Sequence, residues 1–136
     1  MNWNQLSAIW GPRALALLRI VTALLFMEHG AQKLLGFPPS NHPGPEWFSL
    51  LGAAGALELF GGFFVLIGSF TRPIAFLLSG EMAVAYWMAH APKSMFPAIN
   101  GGDAAILFCF VFLYLAVVGP GAFSVDGRTE APSPAP

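Results

Sequence analysis

Four long apolar segments fill most of the sequence, at about residues 14–35, 50–70, 73–89 and 103–118. A helix that crosses a bilayer needs about 17 to 25 mostly apolar residues, at about 1.5 Å of rise per residue. The first two segments meet this length, and the last two need their flanks, where Arg72 and Asp103 can reach the membrane interface. The sequence therefore predicts an all-α polytopic membrane protein, a bundle of four transmembrane helices with both termini on the same side.

Ionisable side chains lie inside or at the rim of these apolar segments. They are Arg19, Glu28, His29, Lys33, Glu58, Glu81 and Asp103. Only 10% of all residues are charged and 56% are hydrophobic, whereas an average soluble domain carries roughly 25% charged residues. An ionised group is costly to bury in hydrocarbon unless it is paired or reached by water. These charges therefore predict a polar interior between the helices.

Short connections join the apolar segments. Only Thr71 and Arg72 separate the second segment from the third, and Pro73 suits the first turn of a new helix. The sequence therefore predicts a tight helical hairpin at this point. Residues 100–102 supply a turn before the fourth segment, with Asp103 as the predicted cap of the helix that follows.

The distribution of Lys and Arg predicts an orientation in the membrane. With four spans, Arg13, Arg72 and Arg128 fall on one side, and Lys33 and Lys93 fall on the other. This bias favours both termini in the cytoplasm. The first segment is long, carries internal charges and lacks a small-residue cleavage site, so we expect it to remain as the first helix.

The remaining sequence features limit the classes of function. Residues 1–126 form one predicted domain, and the Pro-rich residues 127–136 are predicted to be a disordered tail. The formal net charge of -1 gives no basic footprint, so nucleic acid is not an expected partner. The single cysteine, Cys109, lies in an apolar run, where we expect a buried structural thiol without a disulfide. His42, in the Pro-rich loop after the first segment, is expected to be a solvated loop residue.

Helical spacing brings several of the polar residues to common faces. In the first segment Arg19, His29 and Lys33 share one stripe, whereas Glu28 falls on the opposite side. In the second segment Glu58 shares its face with small residues, which allow another helix to approach closely. We therefore expect the stripe and Glu58 to face the interior of the bundle.

Depth in the membrane narrows the choice of ion pairs. Lys33 or His29 can reach the height of Glu58, and Arg19 can reach that of Glu81. The first combination is a candidate proton or ligand site, because an imidazole would lie beside an amine and an acid. The second is a candidate structural ion pair that fixes which helices pack together.

His90, near the outer end of the third segment, is expected to join the polar site of His29, Lys33 and Glu58. The same residues also have a purely structural interpretation, as ion-paired clips between helices. The sequence contains neither HExxH nor a Glu-x-x-His repeat, and it predicts no metal site. It also contains no GxSxG motif, so no catalytic residue is assigned.

Several short motifs, spread in order over most of the chain, carry a resemblance to a known family. They are Arg19 with the later run His29-Gly30-Ala31-Gln32-Lys33-Leu34, Glu58 followed by Gly61-Gly62, Thr71-Arg72, Ala89-His90-Ala91-Pro92-Lys93, Asn100-Gly101-Gly102, and the closing Gly119-Pro120-Gly121-Ala122-Phe123-Ser124-Val125-Asp126. With these motifs the chain resembles the DoxX family of small bacterial four-helix membrane proteins. The resemblance covers about residues 13–126.

The resemblance implies a bacterial inner-membrane protein, and three functions stay open. DoxX-like relatives serve as a membrane subunit of a thiosulfate:quinone oxidoreductase or associate with oxidative-stress enzymes. This implies a subunit or accessory protein of a redox system, with quinone as the candidate cofactor and none bound covalently. A small transporter or proton-conducting protein is one alternative, for which a polar stripe through the bundle is expected. A non-catalytic scaffold for a partner enzyme is the other. The expected partners are the lipid bilayer and either a redox protein or a second copy of the chain.

Overall fold

Long helices joined by short turns make up the fold. A computed structural model describes residues 1–41 and 47–129, and all regular secondary structure within these ranges is helical. The long helices are α1 (Trp3–Leu35), α2 (Leu50–Ile67), α3 (Thr71–Lys93) and α4 (Asp103–Val118), and short helical turns cover Pro97–Asn100 and Asp126–Thr129. The first three helices are long and apolar enough to cross a membrane, whereas α4 is an apolar helix of 16 residues. The predicted all-helical class is confirmed for the described residues, and three spans are supported by length.

Helix α1 begins at Trp3, well before the predicted start near residue 14. The Asn2 side chain accepts a hydrogen bond from the backbone N–H of Gln5 at 2.9 Å, and the Gln5 side chain accepts one from the backbone N–H of Asn2 at 3.0 Å. This reciprocal capping box satisfies backbone donors that a helix start leaves free. At the other end Gly36 adopts a left-handed φ of 67°, which ends the helix.

The turn between α2 and α3 lies earlier in the sequence than predicted. Gly68 has a φ of 67° and Phe70 a φ of 49°, so the chain leaves the helical conformation directly after Ile67. Glycine tolerates such a positive φ because it has no Cβ. Thr71 and Arg72, predicted as the connection, are instead the first residues of α3.

The start of α4 also differs in detail from the prediction. Gly102 occupies the cap position, and no side chain makes a capping hydrogen bond to this helix. The Asn100 Oδ1 atom accepts a hydrogen bond from the Gly102 N–H at 2.7 Å and so stabilises the preceding turn. The predicted capping role of Asp103 is therefore wrong. Its exposed carboxylate lies in the first turn, where a negative charge interacts favourably with the helix dipole.

Two kinds of contact hold the helices together. Helices α1 and α2 approach through glycines: a Cβ added to Gly30 would lie 2.5 Å from the Leu59 backbone nitrogen and 2.8 Å from the Gly55 carbonyl oxygen. Backbones that come this close require residues without side chains. Helix α3 packs along α4, where the Ser79 hydroxyl donates to the Cys109 carbonyl at 2.8 Å. The bundle therefore consists of two closely packed helix pairs.

An apolar core fills the middle of the bundle. It consists of Ala23, Phe26, Val65, Ala75, Leu78, Met82, Ala105, Phe112 and Leu115. The rings of Phe26 and Phe112 meet edge to face, with 4.7 Å between their centroids, an arrangement that aromatic pairs prefer. Along α1 and α2 this core lies between two polar regions, one around Arg19 and the other around Glu58.

Arg19 is fully buried and joins α1 to the C-terminal loop. Its guanidinium donates to five backbone carbonyls, those of Val65, Leu66, Pro120, Ala122 and Phe123. A guanidinium has five N–H donors, so these contacts use its full donor capacity. The predicted structural ion pair of Arg19 with Glu81 is therefore wrong, because carbonyls at the end of α2 and in the loop take its hydrogen bonds instead.

Asp126 ties the C-terminal loop to the start of α3. Its two carboxylate oxygens accept hydrogen bonds of 2.9 Å from the backbone N–H groups of Phe70 and Thr71. Partial burial alone would raise the pKa of Asp126. The hydrogen bonds from Thr71 and Phe70, together with the charge of Arg19, outweigh this effect and lower the pKa.

We expect Asp126 to stabilise the fold in a pH-dependent way. Because its folded pKa lies below that of an unfolded aspartate, about 3.9, its contribution is complete above that pH and is lost as the pH falls through the lower folded value. Asp126→Asn has one acceptor oxygen, so it should melt at a lower temperature than the wild type near neutral pH. Thermal unfolding in detergent as a function of pH measures the difference, which should shrink below about pH 4. A difference that stays constant across the acid range would contradict this role.

Two sequence predictions fall at the edges of the described residues. The predicted tail at 127–136 begins within the helical turn Asp126–Thr129, so its first residues are helical. Residues 130–136 and His42 lie outside the part of the chain that the structure describes.

Candidate functional site

A cavity of about 1300 Å³ lies between the four long helices. Its lining is mostly apolar, and polar side chains enter it from α1, α2 and α3, as in many ligand cavities. The residues predicted to form a polar site, His29, Lys33, Glu58 and His90, all line this cavity, and Glu81 lines it as well. The structure therefore brings the residues of the predicted site to one place and adds a second carboxylate.

Lys33 and Glu58 form an ion pair between α1 and α2. Of the two partners that the sequence allowed for Glu58, the structure selects Lys33. Glu58 is only 1% exposed, and its Oε1 atom takes the Lys33 hydrogen bond. Its Oε2 atom is buried and has no hydrogen-bond partner among the described residues. The ion pair thus uses one carboxylate oxygen of Glu58 and leaves the other without a donor from the described residues.

Glycines position this ion pair. A Cβ on Gly55 would lie 2.9 Å from the Lys33 Cβ, and one on Gly30 would lie 3.0 Å from the Glu58 carbonyl carbon. The backbones of α1 and α2 therefore touch directly beside the two charged side chains. This contact sets the separation across which Lys33 reaches Glu58.

Two wide helical turns carry residues of the cavity. Leu57–Gly61 in α2 and Tyr86–His90 in α3 are π-helical. Such turns are rare and occur frequently at functional sites, because they alter the direction of the side chains that they carry. The first contains Glu58 and the second contains His90. The sequence offered no sign of either turn, since both segments read as continuous apolar helices.

His29 lines the cavity without bonding to the ion pair. Its ring lies edge-on to the ring of Phe108 in α4, with 5.8 Å between the centroids, and the side chain is exposed. It is close enough to Glu58 for an electrostatic interaction. His29 therefore contributes a titratable group to the wall between α1 and α4.

His90 is held at the end of α3. Its Nδ1 atom lies 3.1 Å from the Asn100 carbonyl oxygen, and its ring stacks on Tyr86 with 6.3 Å between the centroids. The Asn100 side chain donates in turn to the Tyr86 hydroxyl at 3.3 Å. These contacts hold the imidazole in the cavity wall, and neither of them involves Lys33 or Glu58.

Glu81 lies in the cavity wall, whereas the sequence predicted it as the ion-pair partner of Arg19. Both of its carboxylate oxygens are buried, and neither has a hydrogen-bond partner within residues 1–41 and 47–129. Glu81 interacts electrostatically with Glu58 and Lys33 across the cavity. Helical spacing places Glu81 on one face with Ala85 and Met88, and both of these residues also line the cavity. The spacing alone could therefore have indicated that Glu81 faces the cavity.

Comparison with known proteins gives one family and several relatives. The model of the DoxX family matches residues 14–91, a range that contains every charged cavity residue discussed above. An uncharacterized protein of Haemophilus influenzae is 41% identical over 122 residues, which cover 86% of this chain and 91% of the relative. The inner membrane protein YphA of Escherichia coli is 28% identical over 132 residues, which cover 86% of this chain and 91% of that protein.

A second inner membrane protein of Escherichia coli, YqjF, is 28% identical over 124 residues, which cover 79% of this chain and 85% of that protein. No solved structure matches the chain. The relatives that carry a descriptive name are thus membrane proteins, in agreement with the apolar helices of the fold.

Proposed function

Because this chain belongs to the DoxX family of multi-pass membrane proteins, we propose that it binds a lipid-soluble quinone in the cavity between its helices. In this role it is a membrane subunit or accessory protein of a redox system in the bacterial inner membrane. The supporting observation is the cavity itself, where charged and imidazole side chains converge within an otherwise apolar lining.

The size and lining of the cavity suit such a ligand. Ligand pockets usually measure about 300 to 1,000 Å³ and combine apolar walls with a few polar groups that orient the ligand. The volume here, about 1300 Å³, accommodates a substituted ring and the start of an apolar tail. Phe108, which is partly exposed, supplies aromatic surface against which a flat ring can pack.

The proposal includes four spans with both termini in the cytoplasm. Helix α4 has 16 residues and would extend about 24 Å at 1.5 Å per residue, so it needs its flanks or a locally thinner bilayer to cross. Arg13, Arg72 and Arg128 then lie on the cytoplasmic side, in agreement with the bias of positive charges. The cavity would open in the outer half of the membrane.

The apolar core favours a ligand cavity over a proton-conducting path. Phe26, Leu78 and Phe112 are fully buried between the polar region around Arg19 and the one around Glu58. A conducting protein needs polar groups or water through the whole depth of the membrane. The scaffold alternative is separated from the quinone proposal by experiment.

We expect a bulky side chain in the cavity to abolish quinone binding. Ala54 lines the cavity and Ala14 is an exposed residue of α1 outside it. Ala54→Trp should weaken the binding of a short-chain benzoquinone by at least about tenfold, because the indole occupies the space of the ring. Ala14→Trp, a matched control, should bind as the wild type does. Equilibrium dialysis with the proteins in nanodiscs, corrected for partitioning into empty nanodiscs, measures both.

Equal binding by all three proteins, or no binding beyond that of empty nanodiscs, would contradict the quinone proposal. Purification of the wild type and Ala54→Trp from native membranes separates the remaining alternatives. Loss of quinone together with retention of a redox enzyme identifies an accessory protein whose ligand and partner sites are distinct. Retention of the enzyme by a wild type that binds no quinone identifies a scaffold.

A further inference from the structure

Three carboxylate oxygens in the cavity lack hydrogen-bond partners among the described residues. They are Oε2 of Glu58 and both oxygens of Glu81, and each is buried. Buried polar atoms are nearly always satisfied, so an exception of this kind indicates a missing partner. Glu58 lines the cavity, and only 1% of its surface is exposed. The partner that the three oxygens lack would therefore occupy the cavity.

The missing partner must be a hydrogen-bond donor. An ionised carboxylate only accepts hydrogen bonds, and a protonated one carries a single O–H and keeps acceptor capacity. Lys33 donates to the Oε1 atom of Glu58 as its ion-pair partner, and Oε2 remains as an acceptor that faces no donor among the described residues. A protonated Glu81 would supply one O–H donor, while its other oxygen and Glu58 Oε2 would both remain acceptors. A ligand that only accepts hydrogen bonds would leave them unsatisfied.

We propose that the cavity selects the reduced, dihydroxy form of a quinone over the oxidised dione. This inference rests on the proposed quinone function and specifies which redox form the site recognises. Each hydroxyl of a quinol donates one hydrogen bond, which Glu58 Oε2 and Glu81 can accept. The same hydroxyls can accept a hydrogen bond from Lys33, which has donors beyond the one used by Glu58. The dione offers acceptors alone, so it can pair with donors such as Lys33 but leaves Glu58 Oε2 unsatisfied.

Wild-type protein should bind a short-chain benzoquinol more tightly than the corresponding benzoquinone, by about tenfold or more. The expected ratio follows from the cost of leaving a buried acceptor unsatisfied in the complex with the dione. Equilibrium dialysis in nanodiscs under argon, with the two redox forms of one ring, measures it. The dimethyl ether of the quinol has lost both donors and should bind as weakly as the dione.

The variant Glu81→Gln tests the assignment of the acceptors. Its amide replaces one acceptor oxygen by an NH₂ donor, so the variant should bind the quinol less tightly and the dione more tightly. Glu28→Gln is the matched control, because Glu28 is exposed on α1 and does not line the cavity. It should keep the wild-type ratio.

The outcomes separate this inference from the function on which it rests. Equal affinity for quinol and dione, tighter binding of the dione, or an unchanged ratio in Glu81→Gln would overturn the selectivity and leave quinone binding intact. Absence of binding by either redox form would overturn both proposals.

Discussion

Replacing Arg19 by Ala should destabilise the folded protein by about 3 to 5 kcal/mol, the range found when a large buried side chain is truncated to Ala. The guanidinium is fully buried and donates to carbonyls of α2 and of the C-terminal loop. Its loss would remove one donor from each of these acceptors, of which the Val65 carbonyl keeps the Gly68 N–H at 3.1 Å, and would open a space in the bundle. Unfolding of the protein in mixed detergent micelles, followed by circular dichroism, measures the change.

Two further substitutions make this expectation specific. Arg13→Ala is the matched control, because Arg13 is exposed on the same helix, contacts the Trp10 ring and, within the described part of the chain, donates to the Ile9 carbonyl alone. It should change the free energy of unfolding by less than about 1 kcal/mol. Arg19→Lys retains the charge but has three donors in place of five, so its stability should lie between the wild type and Arg19→Ala. If Arg13→Ala and Arg19→Ala cost the same, the carbonyl contacts of Arg19 contribute nothing specific.

The sequence predicted the cavity residues better than it predicted the structural charges. The height argument left Lys33 or His29 as the partner of Glu58, and in the structure the partner is Lys33. The same argument failed for Arg19, because its acceptors are backbone carbonyls brought in by the C-terminal loop. Backbone acceptors are present at every residue and leave no mark in the side-chain pattern. Depth matching can pair two side chains, but it does not reveal a side chain that binds the main chain.

The sequence also did not predict where α1 begins or where the helices become π-helical. The extension of α1 to Trp3 depends on a capping box between Asn2 and Gln5, which lies outside the apolar run. The π-helical turn Leu57–Gly61 lies where α2 contacts both α1 and α3. Neither feature alters hydrophobic periodicity, the main signal used to find the helices. The fold class followed from apolar length and charge content, whereas the direction of Glu58 depends on tertiary packing.

The substitution Gly30→Ala should have the second large effect, because it adds one methyl group at the closest contact between α1 and α2. The new Cβ would lie 2.5 Å from the Leu59 nitrogen and 2.8 Å from the Gly55 carbonyl oxygen. Both are backbone atoms, so the two helices must separate. We expect a loss of about 1 to 3 kcal/mol in the free energy of unfolding. The same micelle titration measures it.

Gly80→Ala is the matched control, and it should act in the opposite direction. A Cβ at Gly80 in α3 meets nothing within 4 Å, so the only change is the gain in helix propensity, about 0.5 to 1 kcal/mol. If the Gly→Ala change lowers the free energy of unfolding at Gly30 and raises it at Gly80, the loss at Gly30 comes from the contact between α1 and α2. If Gly30→Ala were neutral, α1 and α2 would not be in close contact in the membrane. Some other contact would then have to hold α1 and α2 at the separation across which Lys33 reaches Glu58. The Gly30 contact is therefore what we expect to position the ion pair in the cavity wall.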